Sequence, residues 1–114
     1  MKRFTLMSVL IVGVSLSFPA QAADKKIERL FGSKCGSCHG KDGKAQTEKG
    51  KKMAMRELGS AEFQKISDED MTKAINDGLK KEKAAVKQEM DGYKDELKAP
   101  EVEALVKYLR EFKK

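Results

Sequence analysis

Cys35-Gly36-Ser37-Cys38-His39 is the stretch on which the reading of this 114-residue chain turns. Two thiols separated by two residues sit about one helical turn apart. The histidine follows at once and is the only one in the chain. A zinc site usually needs four ligands, and the chain offers two cysteines and one histidine in all. A thiol–disulfide redox site should follow a buried strand in a βαβ unit, whereas Lys25 to Lys34 reads as an amphipathic helix. A structural disulfide here would close a very small loop and constrain little of the unfolded chain. The run is the C-x-x-C-H signature of covalent haem attachment, in which each thiol forms a thioether to one vinyl group and the histidine becomes the axial ligand of the iron, with a thiol redox site as the main alternative.

Upstream of that motif the chain begins with a leader. Lys2 and Arg3 form a basic start, Phe4–Phe18 is an apolar run, and Ala20-Gln21-Ala22 is an A-x-A cleavage signal. The expectation is a secretory signal peptide over residues 1–22, removed to leave one domain over 23–114. The apolar run falls short of the ~20 residues of a spanning helix, so no stable membrane anchor is expected. Export implies a periplasm or its equivalent. Lys2 and Arg3 leave with the leader, so the 24 basic residues become 22 against an unchanged 18 acidic ones, a net charge of +4. The remaining 92 residues hold no tryptophan and few aromatics. A chain this short buries a modest core, and an apolar macrocycle at its centre would supply what the side chains lack.

Charged residues of high helix propensity dominate, and no strand-like alternation is sustained, so the predicted fold is all-α with about four helices. The first runs from about Asp24, a candidate N-cap, with Ile27, Leu30 and Phe31 on one face. A short one spans about Ser60 to Lys65. The third starts at Ser67-Asp68-Glu69-Asp70, uses Met71, Ala74 and Ile75 inwardly, and stops at Gly78. The last runs from about Pro100 to Phe112 with Val102, Leu105, Val106, Leu109 and Phe112 as its buried stripe. Between motif and second helix lies a polar loop punctuated by Gly40, Gly43 and Gly50; from it Arg56 is the candidate partner of a haem propionate. Residues 80–89 have helical propensity but lie where a ligand loop should approach the haem, and propensity alone does not assign them.

Iron opposite a histidine commonly takes a methionine thioether, which raises the potential. Met53, Met55, Met71 and Met90 are the candidates. Met71 lies on an amphipathic face and reads as core. Met53 and Met55 read as gap-fillers near the haem edge. Met90 lies in a turn-rich segment, Met90-Asp91-Gly92-Tyr93, ahead of a helix that would press it inward, and leads the others.

Taken together these features resemble a small class I cytochrome c over nearly the whole mature length. Phe31 stands four residues before Cys35; a glycine-rich loop follows the haem motif; the Ser-Asp-Glu helix ends Ile75-Asn76-Asp77-Gly78; an aromatic follows Met90; and Leu105-Val106-Lys107-Tyr108-Leu109 closes the pattern. The resemblance implies helices wrapped round one haem c bound through Cys35 and Cys38, with one haem edge exposed. It further implies first and last helices crossing near Phe31 and the Leu105/Tyr108 face, and His39 and Met90 as axial ligands. Three departures stand out. No proline lies between Pro19 and Pro100 to offer a carbonyl to the ligand histidine, so another carbonyl must orient His39. Ile27 replaces a small residue at the helix crossing, and Asp91 replaces a proline after the methionine.

A six-coordinate haem has no open position for substrate, so the expected role is electron carrier, not enzyme. Its expected partners are larger redox proteins, a donor dehydrogenase or cytochrome complex and an acceptor oxidase or reductase, met by a monomer. The lysine-rich surface would steer it toward acidic faces. Nucleic acid is not an expected partner for an exported haem protein. The alternatives are a haem sensor or catalytic haem subunit with an open distal site, and an exported thiol–disulfide oxidoreductase using Cys35 and Cys38.

Overall fold

Among the described residues the elements are α1 (Ala20–Lys34), α2 (Gly36–His39), α3 (Glu48–Lys52), α4 (Ala61–Gln64), α5 (Asp68–Asp77), β1 (Leu79–Lys83), β2 (Val86–Met90) and α6 (Ala99–Glu111). They are seen in a computed structural model that describes residues 13–14 and 20–114. The leader's basic start and most of its apolar run lie outside the described residues.

The four predicted helices are present as α1, α4, α5 and α6, and two further short helices, α2 and α3, add to them. Side-chain caps set the starts. Ser60 Oγ accepts from Phe63 N at 3.2 Å and Ser67 Oγ from Asp70 N at 3.1 Å, each satisfying one N–H that a helix start leaves unpaired. α5 stops at Gly78, whose φ of +77° suits glycine and whose N–H reaches Ala74 O at 2.9 Å. One expectation is corrected. Asp24 is not an N-cap, because α1 starts at Ala20; the alanine-rich Ala20-Gln21-Ala22-Ala23 has the propensity to carry the helix upstream.

The core forms where α1, α5 and α6 meet. Phe31, Val102 and Leu105 are its most deeply buried side chains, with Leu58, Met71, Ile75 and Leu109 around them. Phe31 packs against Tyr108 and Phe112 with ring centroids 5.3 and 5.4 Å apart, which locks the two ends of the chain together. Arg110 on α6 fastens the next layer. Its Nη1 donates to Gln64 O at 2.8 Å, its Nη2 to Ile66 O, and its Nε and Nη2 to Asp68 Oδ1. Gln64 Nε2 in turn donates to Leu58 O at 2.8 Å and Leu109 O at 3.0 Å.

Residues 79–90, most of which propensity does not assign, form an antiparallel hairpin, the one strand pair among the described residues. Its register pairs Leu79 with Met90, Lys81 with Gln88 and Lys83 with Val86. The two-residue turn is Ala84-Ala85, both at positive φ (51° and 64°), as a hairpin turn that matches the strand twist requires. Alanine is an unusual choice there, since a left-handed conformation costs an L-residue roughly 1–2 kcal/mol. The strand signal in the sequence is the alternation Val86, Gln88, Met90, half-buried, with Lys87 and Glu89 exposed.

These contacts set two expected outcomes. Arg110→Met strands the carbonyls of Gln64 and Ile66 and should lower the unfolding free energy by about 2 kcal/mol. Asp68→Asn, which weakens only an exposed ion pair, should cost far less; urea titrations of the two variants give the comparison. Ala84→Asn combined with Ala85→Gly relieves the turn and should raise stability by about 1 kcal/mol. Slower amide exchange across Leu79–Met90 would accompany it, and unchanged exchange would count against the strained-turn account.

Candidate haem site

The haem motif follows directly on α1, with Cys35 as the N-cap residue of α2 and the other four residues forming its single turn. Cys35 N donates to Phe31 O at 2.8 Å, continuing the helical path, and His39 N donates to Cys35 O at 3.0 Å. Gly40, at φ +75°, ends the turn. α3 is pressed onto the motif from behind. Thr47 Oγ1 donates to Cys38 O at 2.6 Å, and Gly50 lies so close that a Cβ there would stand 2.6 Å from the same oxygen. No residue but glycine permits that approach.

Burial shapes the chemistry of the three motif side chains. Cys35 is half-buried and its thiol is pushed up to about 11 by burial, with the neighbouring Cys38 adding to the effect. A thiol–disulfide catalyst needs the opposite, a thiol pushed down toward the thiolate. His39 is held below its ordinary value by burial, so its imidazole is neutral and carries a lone pair at pH 7. Its Nδ1 is buried without a hydrogen-bond partner among the described residues. The absent proline calls for a substitute carbonyl, and none of the described residues supplies one. Instead Ala45 N holds the His39 carbonyl at 2.9 Å, and the Phe31 ring lies 6.5 Å from the imidazole.

A cavity of about 500 Å³ opens beside the motif, its walls built by Phe31, Leu58, Met71, Ile75 and Leu105, with Cys35, His39 and Met90 on its lining. A second chamber of about 140 Å³ adjoins it and adds Met53, Met55 and Arg56. Size and apolar lining with a few polar groups match a cofactor site. The donor set also fits haem c: two thiols for the vinyl groups, a neutral imidazole, and a soft thioether.

Met90 ends β2, and the residues after it fix its place. Tyr93 N donates to Ile75 O at 2.8 Å and Lys94 N to Asn76 O at 3.2 Å, so the chain after Met90 is pinned to the end of α5. Gly78 and Gly92 permit that approach; a Cβ on Gly92 would stand 2.6 Å from Asn76 O. Tyr93 Oη donates to Lys34 O at 3.0 Å, tying the same loop to the residue before Cys35. His39 and Met90 line both chambers, whereas Met53 and Met55 line only the smaller one, and Met71 is buried in the core as its helical position suggested. Arg56 lines the smaller chamber with its Nη1 3.8 Å from Glu62 Oε2.

Two residues of the site escaped the sequence reading. Lys81 lines both chambers from β1, and Gln88 lines the smaller one from β2. The period-two alternation ending at Met90 was the available signal for Gln88; nothing local marked Lys81.

Known proteins resemble this chain. A solved structure of the c-type cytochrome KustC0563 is similar, at 35% identity and a TM-score of 0.62, over 76% of this chain and 96% of that one. No curated protein matches significantly. The family model for cytochrome c matches residues 25–113, motif, cavity walls and hairpin included. The chain therefore belongs to the cytochrome c family, with haem c attached through Cys35 and Cys38.

Proposed function

We propose that this cytochrome carries single electrons through a haem ligated by His39 and Met90. The observation that supports the reading most directly is that these are the one imidazole and the one thioether lining both chambers of the cleft. Haem c supplies the one-electron chemistry when bound. The chain's own part is to keep the His39 imidazole neutral, to hold the Met90 sulfur in an apolar wall, and to leave no coordination position for a substrate. The role is that of a carrier. The Lys2/Arg3 start, the apolar run and the Ala20-Gln21-Ala22 signal support export to the periplasm. Among the described residues no helix is long and apolar enough to cross a membrane. The partners are redox proteins, a donor dehydrogenase or cytochrome complex and an acceptor oxidase or reductase, that meet a monomer at the haem edge.

The hairpin register supplies a place for such partners. On its outer face Lys80 stands opposite Glu89 and Glu82 opposite Lys87, so charges offset there. On the other face Lys81 and Lys83 stand opposite Gln88 and Val86, leaving two exposed cations at the lip of the cleft. Neither forms an ion pair among the described residues. An acidic partner face would be drawn to this edge.

Optical spectra test the ligation. The oxidised protein should show a low-spin haem with a methionine–iron charge-transfer band, the reduced protein should resist carbon monoxide, and Met90→Ala should abolish both properties. Ready carbon monoxide binding by the parent protein would move the open-site sensor or enzyme reading ahead. Steering is tested with an anionic iron–EDTA reductant. Lys81→Gln with Lys83→Gln should slow reduction several-fold at low ionic strength and flatten its salt dependence, while Lys107→Gln with Lys113→Gln should do much less.

A further inference from the structure

Met90 is anchored unequally on its two sides. After it, two backbone hydrogen bonds pin Tyr93 and Lys94 to α5. Before it, the hairpin makes hydrogen bonds to the rest of the described chain through one side chain alone. Gln88 Nε2 donates to Met53 O at 2.7 Å and to Ala54 O at 3.2 Å. Gln88 is two residues from Met90, hence on the same face of β2. Its acceptors end a strap that leads back to the haem motif. Met53 N and Ala54 N close the last turn of α3 on Lys49 O and Lys51 O, and Met55 N returns to Gly50 O at 3.0 Å. At the other end of α3, Thr47 caps Gly50 N and donates to Cys38 O at 2.6 Å. The path Cys38–Thr47–α3–Met53/Ala54–Gln88–Met90 is thus a hydrogen-bonded bracket joining the attachment motif to the strand that bears Met90.

We infer that Gln88 is a positioning residue that latches the hairpin closed and thereby keeps the Met90 thioether on the iron. The inference rests on the reading of Met90 as the distal ligand. Without the latch, nothing polar holds β2 to the strap, and its turn is the strained Ala84-Ala85 pair. The population with Met90 displaced rises, and exogenous ligands enter through that population.

The test uses the haem-loaded protein and three variants: Gln88→Leu, which removes the donor; Gln88→Lys, which restores one; and Met90→Ala. Carbon monoxide association with the reduced form and the charge-transfer band of the oxidised form are the readouts. Gln88→Leu should bind carbon monoxide about tenfold faster than the parent, the factor that ~1.4 kcal/mol represents. It should also lose the band at lower temperature than the parent, with global unfolding little changed. Gln88→Lys should return both toward parent values. Parent-like behaviour of Gln88→Leu beside a fast, bandless Met90→Ala would overturn the latch and leave the ligand assignment standing. A Met90→Ala protein that keeps its band would overturn the assignment and the latch together.

Discussion

Five consecutive residues carry both covalent tethers and the one histidine of the chain, and the rest of the molecule is arranged around that constraint. A single helical turn holds Cys35, Cys38 and His39 together, with Cys35 and His39 on the lining of the cavity, without help from distant chain. Everything else on that lining comes from far away in sequence: apolar walls from α5 and α6, and a thioether from Met90. The crossing of α1 and α6 at Phe31 and Leu105 is what makes this return possible, since it closes the chain into one core beside the motif. The glycines at the approaches have the same origin. Gly50 lets α3 lie against the Cys38 carbonyl, and Gly78 and Gly92 let the Met90 loop lie against α5.

Legibility in the sequence tracked the locality of each cause. The attachment motif, the caps at Ser60 and Ser67, the Gly78 stop and the buried stripe of α6 are set by neighbours within one or two turns, and the structure has them where the residues suggested. The hairpin was not legible, because Lys-Glu-Lys-Ala-Ala-Val-Lys-Gln favours helix locally and lacks the Asn-Gly or Asp-Gly that marks a two-residue turn. Its conformation is imposed by tertiary need: Met90 must reach the cavity while the chain after it joins the end of α5. The extended start of α1 and the bare Nδ1 of His39 were missed for similar reasons. The first depends on the alanines at 20, 22 and 23, and the second on a carbonyl that only the folded loop can bring near or fail to bring.

The unpartnered Nδ1 bears on how His39 would hold an iron under the proposed ligation. A histidine that donates to a carbonyl is fixed in tautomer and rotation, and its ligating nitrogen becomes more basic. Here the ring packs against Phe31, while burial keeps it neutral. An imidazole without that acceptor would be a weaker donor to oxidised iron, which would favour the reduced state. The proposed Met90 ligation would act in the same direction.

The Met90 side of the cavity is carried by a hairpin with few polar ties to the rest of the described chain. Residues 79–90 adopt a conformation their local sequence does not prefer, around a turn of two left-handed alanines, with one glutamine bridging to the strap. Local opening is drawn from segments of this kind, which have few buried contacts and many exposed backbone hydrogen bonds. Met90, the proposed iron ligand, stands at the end of this segment instead of within α5 or α6, where helix packing would hold it without a latch. The cations Lys81 and Lys83 stand on the same hairpin. Under the proposed ligation, a partner that docked against them would touch the element that carries the thioether. Recognition and ligation would then share one lever: a docked partner that favoured the closed hairpin would also favour the Met-ligated haem, by an amount equal to its differential affinity for the two states.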